Sequence, residues 1–457
     1  MLSDDIIKIT AWIERNIGGK VERCERQVRW RPGWWVDLRR DEELLHLYVR
    51  GDRNEEFPPW PLEYERDVIM LLQQSPVPVP KIYGFCPDPR AIVLERVGGR
   101  PNLKSAKSEE ERLKVLQQLA GHVATMHSMD IEPFVKAGMK MPNSAEQRIV
   151  PFFLEGEKLY LRYKNAPDPR MEFVRSWVRR NLPAGREEVC FLHGDPGQFL
   201  FENGAITTML DFEWSCLGDP LMDMGGLRLR AVHEPMGDIG PLFRRYHQLT
   251  GRAIKADVLG FHTVAFIANT CLAISPALSY PRVGANYPEY VNWYIVALLF
   301  AIKAIAEVKG VVLPDPLPME SGNDSRWAGV YQVMAGTFAN SSADDSENSG
   351  EETGDRYKHY LANALVGFAK KADRFGSRLE QDYIADVSEI LGRQVTGWRE
   401  ADCELESFVI EADESSEAQL LNIFHRWCWS QINLLEGVID NPMWTVGLQP
   451  LSELVSE

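Results

Sequence analysis

The chain has 457 residues, a length that predicts about three structural units and ample core. An apolar fraction of 45% with 13 tryptophans excludes a chain disordered throughout, because disordered chains are poor in aromatics. The 50 basic and 66 acidic residues give a net charge of −16, which opposes non-specific binding to nucleic acid or an anionic membrane but leaves room for a local basic cleft.

The opening residues Met1–Asp5 place no basic stretch ahead of an apolar one, as a secretory signal would. Residues 1–97 form a first region. Its strand-like runs are Val21–Trp30, Trp34–Leu38, Leu44–Arg50 and Ala91–Val97, broken by the turn pairs Pro32-Gly33 and Gly51-Asp52. One helix interrupts them, over Leu62–Gln74, with an apolar face of Val68, Ile69, Leu71 and Leu72. The prolines at 76, 78 and 80 then force an extended chain.

Residues 98–315 are expected to be mostly helical. Glu109–His127 has helical apolar spacing, with Ser108 as its N-cap and Glu111 at capping-box distance. Val258–Leu278 is uncharged but holds His262, Asn269 and Thr270, so it is read as a buried core helix rather than a membrane span. Glu289–Lys309 is a second long apolar helix. Residues 316–355 read as a linker, acidic and disordered from 340, and 356–457 as a helical module built from Arg356–Phe375, Leu379–Leu391 and Glu417–Val438. The seven cysteines stand singly with no C-x-x-C pair. They suggest neither zinc nor redox chemistry, and reduced thiols in a cytoplasmic protein.

Within the helical region lies one island of strands, Val189–Asp211. Two apolar runs, Cys190–Leu192 and Phe199–Phe201, are followed by the hairpin signal Asn203-Gly204 and a third run, Ile206–Leu210. Asp195 and Asp211 follow such runs, and a hairpin would bring both carboxylates to one end. Adjacent carboxylates repel and need a divalent cation or a cationic partner, and magnesium typically takes one or two of them plus substrate phosphates. The alternative is a turn with aspartate caps.

His193-Gly194-Asp195, then Leu210-Asp211-Phe212-Glu213-Trp214, then Leu217–Gly225 together resemble the aminoglycoside phosphotransferase family, which includes choline-kinase-like enzymes. The resemblance covers about residues 20–310. It implies an α+β, bilobal protein-kinase-like fold, with a small β-rich N-lobe and a mostly helical C-lobe, to which 356–457 is appended. It implies ATP and Mg2+ as cofactors and a small hydroxylated molecule as acceptor. Asp195 would be the catalytic aspartate, His193 its buttress, and Asp211 the magnesium ligand. Asp219 and Asp223 would hold the following loop. Arg50 would reach the ATP phosphates with Glu65 as its ion-pair partner, and backbone around Glu95 to Val97 would hold the adenine. Arg31-Pro32-Gly33-Trp34-Trp35, with its lone glycine, is the candidate phosphate loop.

The chain departs from that pattern in one place. The family has an asparagine, a second metal ligand, where this chain has Leu200, and Gln198 is the residue that could ligate metal instead. Two readings follow: an active kinase for an aminoglycoside, a hydroxyacyl-CoA or another hydroxylated metabolite, or a degenerate kinase fold that binds nucleotide or partners. The arginines 228, 230, 244 and 245 are helix-face charges or a site for an anionic substrate. No nucleic-acid or membrane partner is expected, and the C-terminal module could pair two copies.

Overall fold

Alternation of apolar and polar residues in the first region builds a five-stranded antiparallel sheet. In the computed structural model, which describes residues 4–27, 31–53, 60–283, 285, 287–316, 325–326, 328–340, 352–439 and 443–455, α1 (Asp4–Asn16) precedes β1 (Lys20–Arg26), β2 (Gly33–Arg40) and β3 (Glu43–Gly51). Next come α2 (Leu62–Leu72), β4 (Ile82–Pro87) and β5 (Arg90–Glu95), and the strand order is β1-β2-β3-β5-β4. Trp34, Val36 and Leu38 pair with Val49, Leu47 and Leu45, and this buried face packs on Ile9 and Ile13 of α1. Neither α1 nor β4 was expected. The first is a short amphipathic helix, and Gly84 and the prolines before β4 obscure its strand pattern. The end of the first expected strand, 28–30, lies outside the described residues.

α3 (Glu109–Met126) begins as expected, with Ser108 Oγ accepting from the Glu111 N–H at 3.1 Å. The Glu111 carboxylate reaches the N–H of Lys107, at 2.5 Å, one residue before the cap. Short helices α4 (Glu132–Lys136) and α5 (Ala145–Ile149) lead to α6 (Pro151–Tyr163) and α7 (Pro169–Arg180). The island follows as β6 (Cys190–Leu192), β7 (Phe199–Glu202), β8 (Ala205–Met209) and β9 (Cys216–Gly218). Asn203 and Gly204, both at positive φ, turn the β7–β8 hairpin. β6 stays out of that hairpin and pairs with β9, so Asp195 and Asp211 leave different two-stranded sheets. α8 (Leu221–His233) and α9 (Gly240–Thr250) complete this part.

The rest is helical: α10 (Ala256–Ser279), α11 (Tyr287–Lys309), α12 (Ala328–Asn340), α13 (Glu352–Leu391), α14 (Trp398–Glu411), α15 (Glu417–Leu435) and α16 (Leu451–Leu454). α13 is one helix where two were expected, and α12 falls inside the expected linker, of which 341–351 lie outside the described residues.

Two compact units result, and they do not follow chain order. One comprises Met1–Glu155, Ala184–Leu259 and Gln449–Glu457, the other Gly156–Pro183 and Gly260–Leu448. Most of the expected separate module 356–457 therefore shares a unit with α7 and α11. The reason is apolar surface: α11 is hydrophobic nearly all round and must be covered, which α15 does with Leu420, Leu421, Phe424 and Ile432 among its buried residues. Within the same unit Arg170 is buried, donates to Asp402 at 2.9 Å and stacks over Trp427 at 4.2 Å. α10 and α11 are long and apolar enough to cross a membrane, but most of each apolar stretch is buried inside the protein.

His425 of α15 is buried and accepts from Trp429 Nε1 at 3.0 Å. Burial, then Lys303 and Arg426, push its pKa down to about 4. Below pH 6.5 the unfolded chain takes up a proton that the folded one refuses until about 4, so this group's stabilisation is lost as pH falls through that window. His425→Gln, which keeps an acceptor for Trp429, should reduce the stability difference between pH 7 and pH 4.5 by about 1–2 kcal/mol in urea unfolding. An unchanged difference would refute this.

Candidate active site

The loop after β6 is fixed by one carboxylate. Asp223, in the first turn of α8, accepts the N–H of Gly194 and that of His193, both at 2.9 Å. It is also bonded by His127 Nε2 at 3.1 Å, whose Nδ1 meets the Tyr246 hydroxyl at 2.8 Å. Gly194 has φ +89°, and a Cβ there would lie 2.2 Å from the Trp214 carbonyl oxygen, so the turn requires glycine. His193 is fully buried, with its ring 4.4 Å from that of Phe212 and its Nδ1 accepting the Asp195 N–H at 3.3 Å. Burial pushes its pKa down, against Asp223 and Asp195, so it supports the loop as a neutral ring. Asp219 accepts both Nε (2.5 Å) and Nη2 (2.6 Å) of Arg186, and the N–H of Leu221 at 2.9 Å.

Asp195 projects from this loop, nearly buried, and is held by a side chain from α8. Arg230 Nε donates to its Oδ1 at 3.0 Å and Nη2 to its Oδ2. Gln198 Nε2 donates to Oδ2 at 3.3 Å, and the Gln198 carbonyl accepts the Leu210 N–H at 2.9 Å, tying this loop to the segment that carries Asp211. Leu200, on β7, lies against Gly99, where a Cβ would meet Leu200 Cβ at 2.9 Å.

Asp211 follows β8 with φ +65° and ψ +53°, a left-handed conformation rare for a residue with a side chain and concentrated at functional sites. Its Oδ1 is paired with Arg50 Nη2. Arg50, on β3, also donates from Nε to Glu65 Oε2 at 2.9 Å and lies 3.4 Å from Glu213 Oε2. Arg31 bonds the Gly51 carbonyl at 3.0 Å and pairs with Glu213, which also takes Arg53. Three guanidiniums thus face three carboxylates. Burial raises the Asp211 pKa, but Arg50, Arg31 and Arg53 outweigh it and hold the carboxyl well below the usual range. Glu65 is the opposite case. Burial outweighs Arg50 and pushes it up.

The structure therefore gathers Arg50, Glu65 and Asp211 into one cluster and Asp195, His193 and Gln198 into one loop. No hydrogen bond or ion pair among the described residues joins Asp195 to Asp211. Glu95 and Val97 lie at the end of β5. The N–H of Glu95 is taken by the Lys81 carbonyl at 2.8 Å and that of Arg96 by His46 at 3.0 Å, whereas no backbone bond of this kind joins Val97 to another of the described residues. Val97 is thus the better placed of the two to meet a ligand through its N–H. Sequence reasoning named Arg31 in the candidate phosphate loop and Arg230 among four arginines that could meet an anionic substrate, but missed their partners Glu213 and Asp195, and missed any role for Arg53 and Glu213. Glu213 sat inside a recognised motif, but no local signal sets a partner far along the chain.

Among the described residues no three His, Cys, Asp or Glu side chains form a metal cluster. Asp211, with one oxygen on Arg50, retains a second for a cation. That donor set fits magnesium only if phosphate and water complete the shell.

Residues 46–254 match the phosphotransferase enzyme family. This segment belongs to that family. The phosphotransferase segment includes Arg50, Glu65, Asp195, Asp211 and Arg230. Acyl-CoA dehydrogenase family member 11 of Rattus norvegicus is 28% identical over 171 residues, 33% of this chain and 21% of that protein. Its Mus musculus counterpart is 29% identical over 173 residues, again 33% and 21%. The chain thus spans about a fifth of the length of these curated relatives. A solved structure from Ralstonia eutropha, whose name assigns it to the aminoglycoside phosphotransferases, is 19% identical, with TM-score 0.53 over 67% of this chain and 98% of that one. That likeness shows the fold, which is the expected α+β, protein-kinase-like one.

Replacing Asp223 by alanine removes the acceptor for two buried backbone N–H groups and the partner of His127. Asp223→Ala should cost about 2–4 kcal/mol in urea unfolding, with Asp223→Asn costing less. A loss below about 1 kcal/mol would show that the loop is held by other contacts.

Proposed function

We propose that this chain transfers the γ-phosphoryl group of ATP to a hydroxyl of a small molecule. The observation that carries the reading is the pairing of Arg50 with both Glu65 and Asp211, on a segment tied by the Leu210–Gln198 bond to the loop of Asp195. Arg50, with Arg31 and Arg53 beside it, would meet the phosphates, and Val97 the adenine through its backbone. Asp211 would hold magnesium, which neutralises phosphate charge when bound. Asp195 would orient the acceptor hydroxyl and take its proton as the new oxygen–phosphorus bond forms and the bond to the ADP oxygen breaks. Positioning and charge neutralisation supply most of such catalysis. Gln198, bonded to Asp195, would set that carboxylate's orientation or lend its carbonyl to the cation. The acyl-CoA in the name of the curated relatives keeps hydroxyacyl-CoA thioesters among the acceptors to be tried, beside aminoglycosides and other hydroxylated metabolites. A cytoplasmic setting and pairing of two copies through 356–457 belong to this reading, and light scattering of the purified chain tests the second.

One observation favours a second reading, a nucleotide-binding or assembly protein without turnover: both oxygens of Asp195 are engaged by Arg230. ADP release with Mg-ATP and an acceptor panel separates the two. Asp195→Asn should lower acceptor-dependent kcat about 10²–10⁴-fold and leave the Mg-ATP thermal shift in place. Asp211→Asn should abolish both turnover and that shift. Turnover that survives Asp195→Asn would remove its assigned role, and a thermal shift with no turnover for any acceptor would favour the second reading.

Arg31 and Arg53 face Glu213 rather than solvent, so a nucleotide must draw them away. Arg53→Met should raise KM for Mg-ATP about tenfold, as expected for one lost charge-assisted contact, with kcat reduced less. An unchanged KM would confine Arg53 to a structural ion pair.

A further inference from the structure

The arginines 228, 230 and 244 have different neighbours. Arg228 is buried and donates to the Gln449 carbonyl at 2.9 Å, and Arg244 lies against Gly240. Arg230 alone reaches Asp195, and the reach is built into the loop. Its side chain crosses the position that a Cβ on Gly197 would occupy, 2.1 Å from Arg230 Cγ, so only glycine lets it pass. Its third nitrogen, Nη1, meets Glu234, just past the end of α8, at 3.3 Å. The side chain of Arg230 is 18% exposed and that of Glu234 31%, so solvent reaches part of the pair.

This arrangement sets a charge constraint on the acceptor. A bidentate guanidinium covers both oxygens of the carboxylate that must receive the hydroxyl proton. For the hydroxyl to dock, Arg230 has to release one of them. Once Asp195 takes the proton it is neutral, and Arg230 is left in a largely buried site with only the longer contact from Nη1 to Glu234, at 3.3 Å, to balance it. A buried guanidinium that loses its bidentate partner is destabilised. A neutral or cationic acceptor leaves it so, and a polyamine adds like charge. An acceptor with its own carboxylate or phosphate exchanges directly for Asp195 on a fork suited to bidentate anions. The γ-phosphoryl of ATP is the other anion at hand, but Arg31, Arg50 and Arg53 already stand on the Asp211 side for it, whereas Arg230 comes from α8.

Building on the phosphotransferase reading, we infer that Arg230 is a specificity-determining residue, and that the acceptor is an anionic hydroxy compound whose carboxylate or phosphate lies one to three bonds from the phosphorylated hydroxyl. The acceptor anion binds the Arg230 fork, frees an oxygen of Asp195 for the hydroxyl, and remains as the counter-charge when the proton moves.

The test pairs acceptors that differ in this anion: glycerate against glycerol, and 3-hydroxybutyrate against its methyl ester, with kanamycin as the polycation. ADP release by the full chain should favour the anionic member of a pair by about 100-fold in kcat/KM. Arg230→Met should erase that preference through the acceptor KM, leave KM for Mg-ATP within about twofold, and be partly rescued by Arg230→Lys. Equal use of an anionic acceptor and its neutral twin, preference for kanamycin, or a change confined to the Mg-ATP KM would each overturn the inference. Failure of every acceptor to release ADP would instead defeat the phosphotransferase reading. Calorimetric titration of glycerate and glycerol into the same protein then decides the charge preference alone. Binding of glycerate that Arg230→Met abolishes supports it, and no difference between the two ligands overturns it.

Discussion

The candidate site depends on a buried exchange of charge around Arg50. Three guanidiniums, those of Arg31, Arg50 and Arg53, meet three carboxylates, those of Glu65, Asp211 and Glu213. Ions withdrawn from water are costly unless each finds a counter-charge, and here every one does. The set comes from the start of β2, from β3 and the turn after it, from α2, and from the turn after β8. Its formation therefore requires the sheet, the helix and the island to be docked together. Because positive and negative charges balance without nucleotide, an arriving polyphosphate must redistribute them. Arg50, shared among three carboxylates, has the most partners to exchange.

The second organising element is Asp223. The tight turn from which Asp195 projects cannot use helix or sheet bonds for its own N–H groups, so a carboxylate does that work. His127 and Tyr246 brace this carboxylate from behind, and His193 packs as a neutral ring beneath. Asp195, to which the proposed reaction assigns the acceptor proton, and Asp223, which fixes its loop, are thus chemically alike but differently held. Asp195 is bonded by the side chains of Arg230 and Gln198, whereas Asp223 is sealed among backbone donors.

The helical unit follows a different logic. α11 has too much apolar surface for water, and α15 covers it, which pulls most of the chain after 356 into the same core. Arg170 enters that core with Asp402 and the Trp427 ring as partners. Charged groups inside a hydrophobic unit restrict which helices can pair, since a shifted register would strand the guanidinium.

Much of this was legible in the sequence, because local rules govern it. Period-two alternation gave β2 and β3, helical spacing gave α2, α3 and α11, Ser108 marked a helix start, and Asn203-Gly204 marked the hairpin. The motif residues His193, Asp195 and Asp211 stood out because charged groups at the ends of apolar runs are unusual, and their order carried the family resemblance. What remained hidden is what distance along the chain conceals. The pairing of β6 with β9, the sharing of α11 and α15 in one core, and the meeting of Arg31 with Glu213 and of Arg230 with Asp195 join residues from 24 to 182 positions apart. No local pattern encodes such partners. Burial selects them, because an apolar face must find cover and a buried charge its opposite, and only the folded chain determines which of the candidates lies within reach.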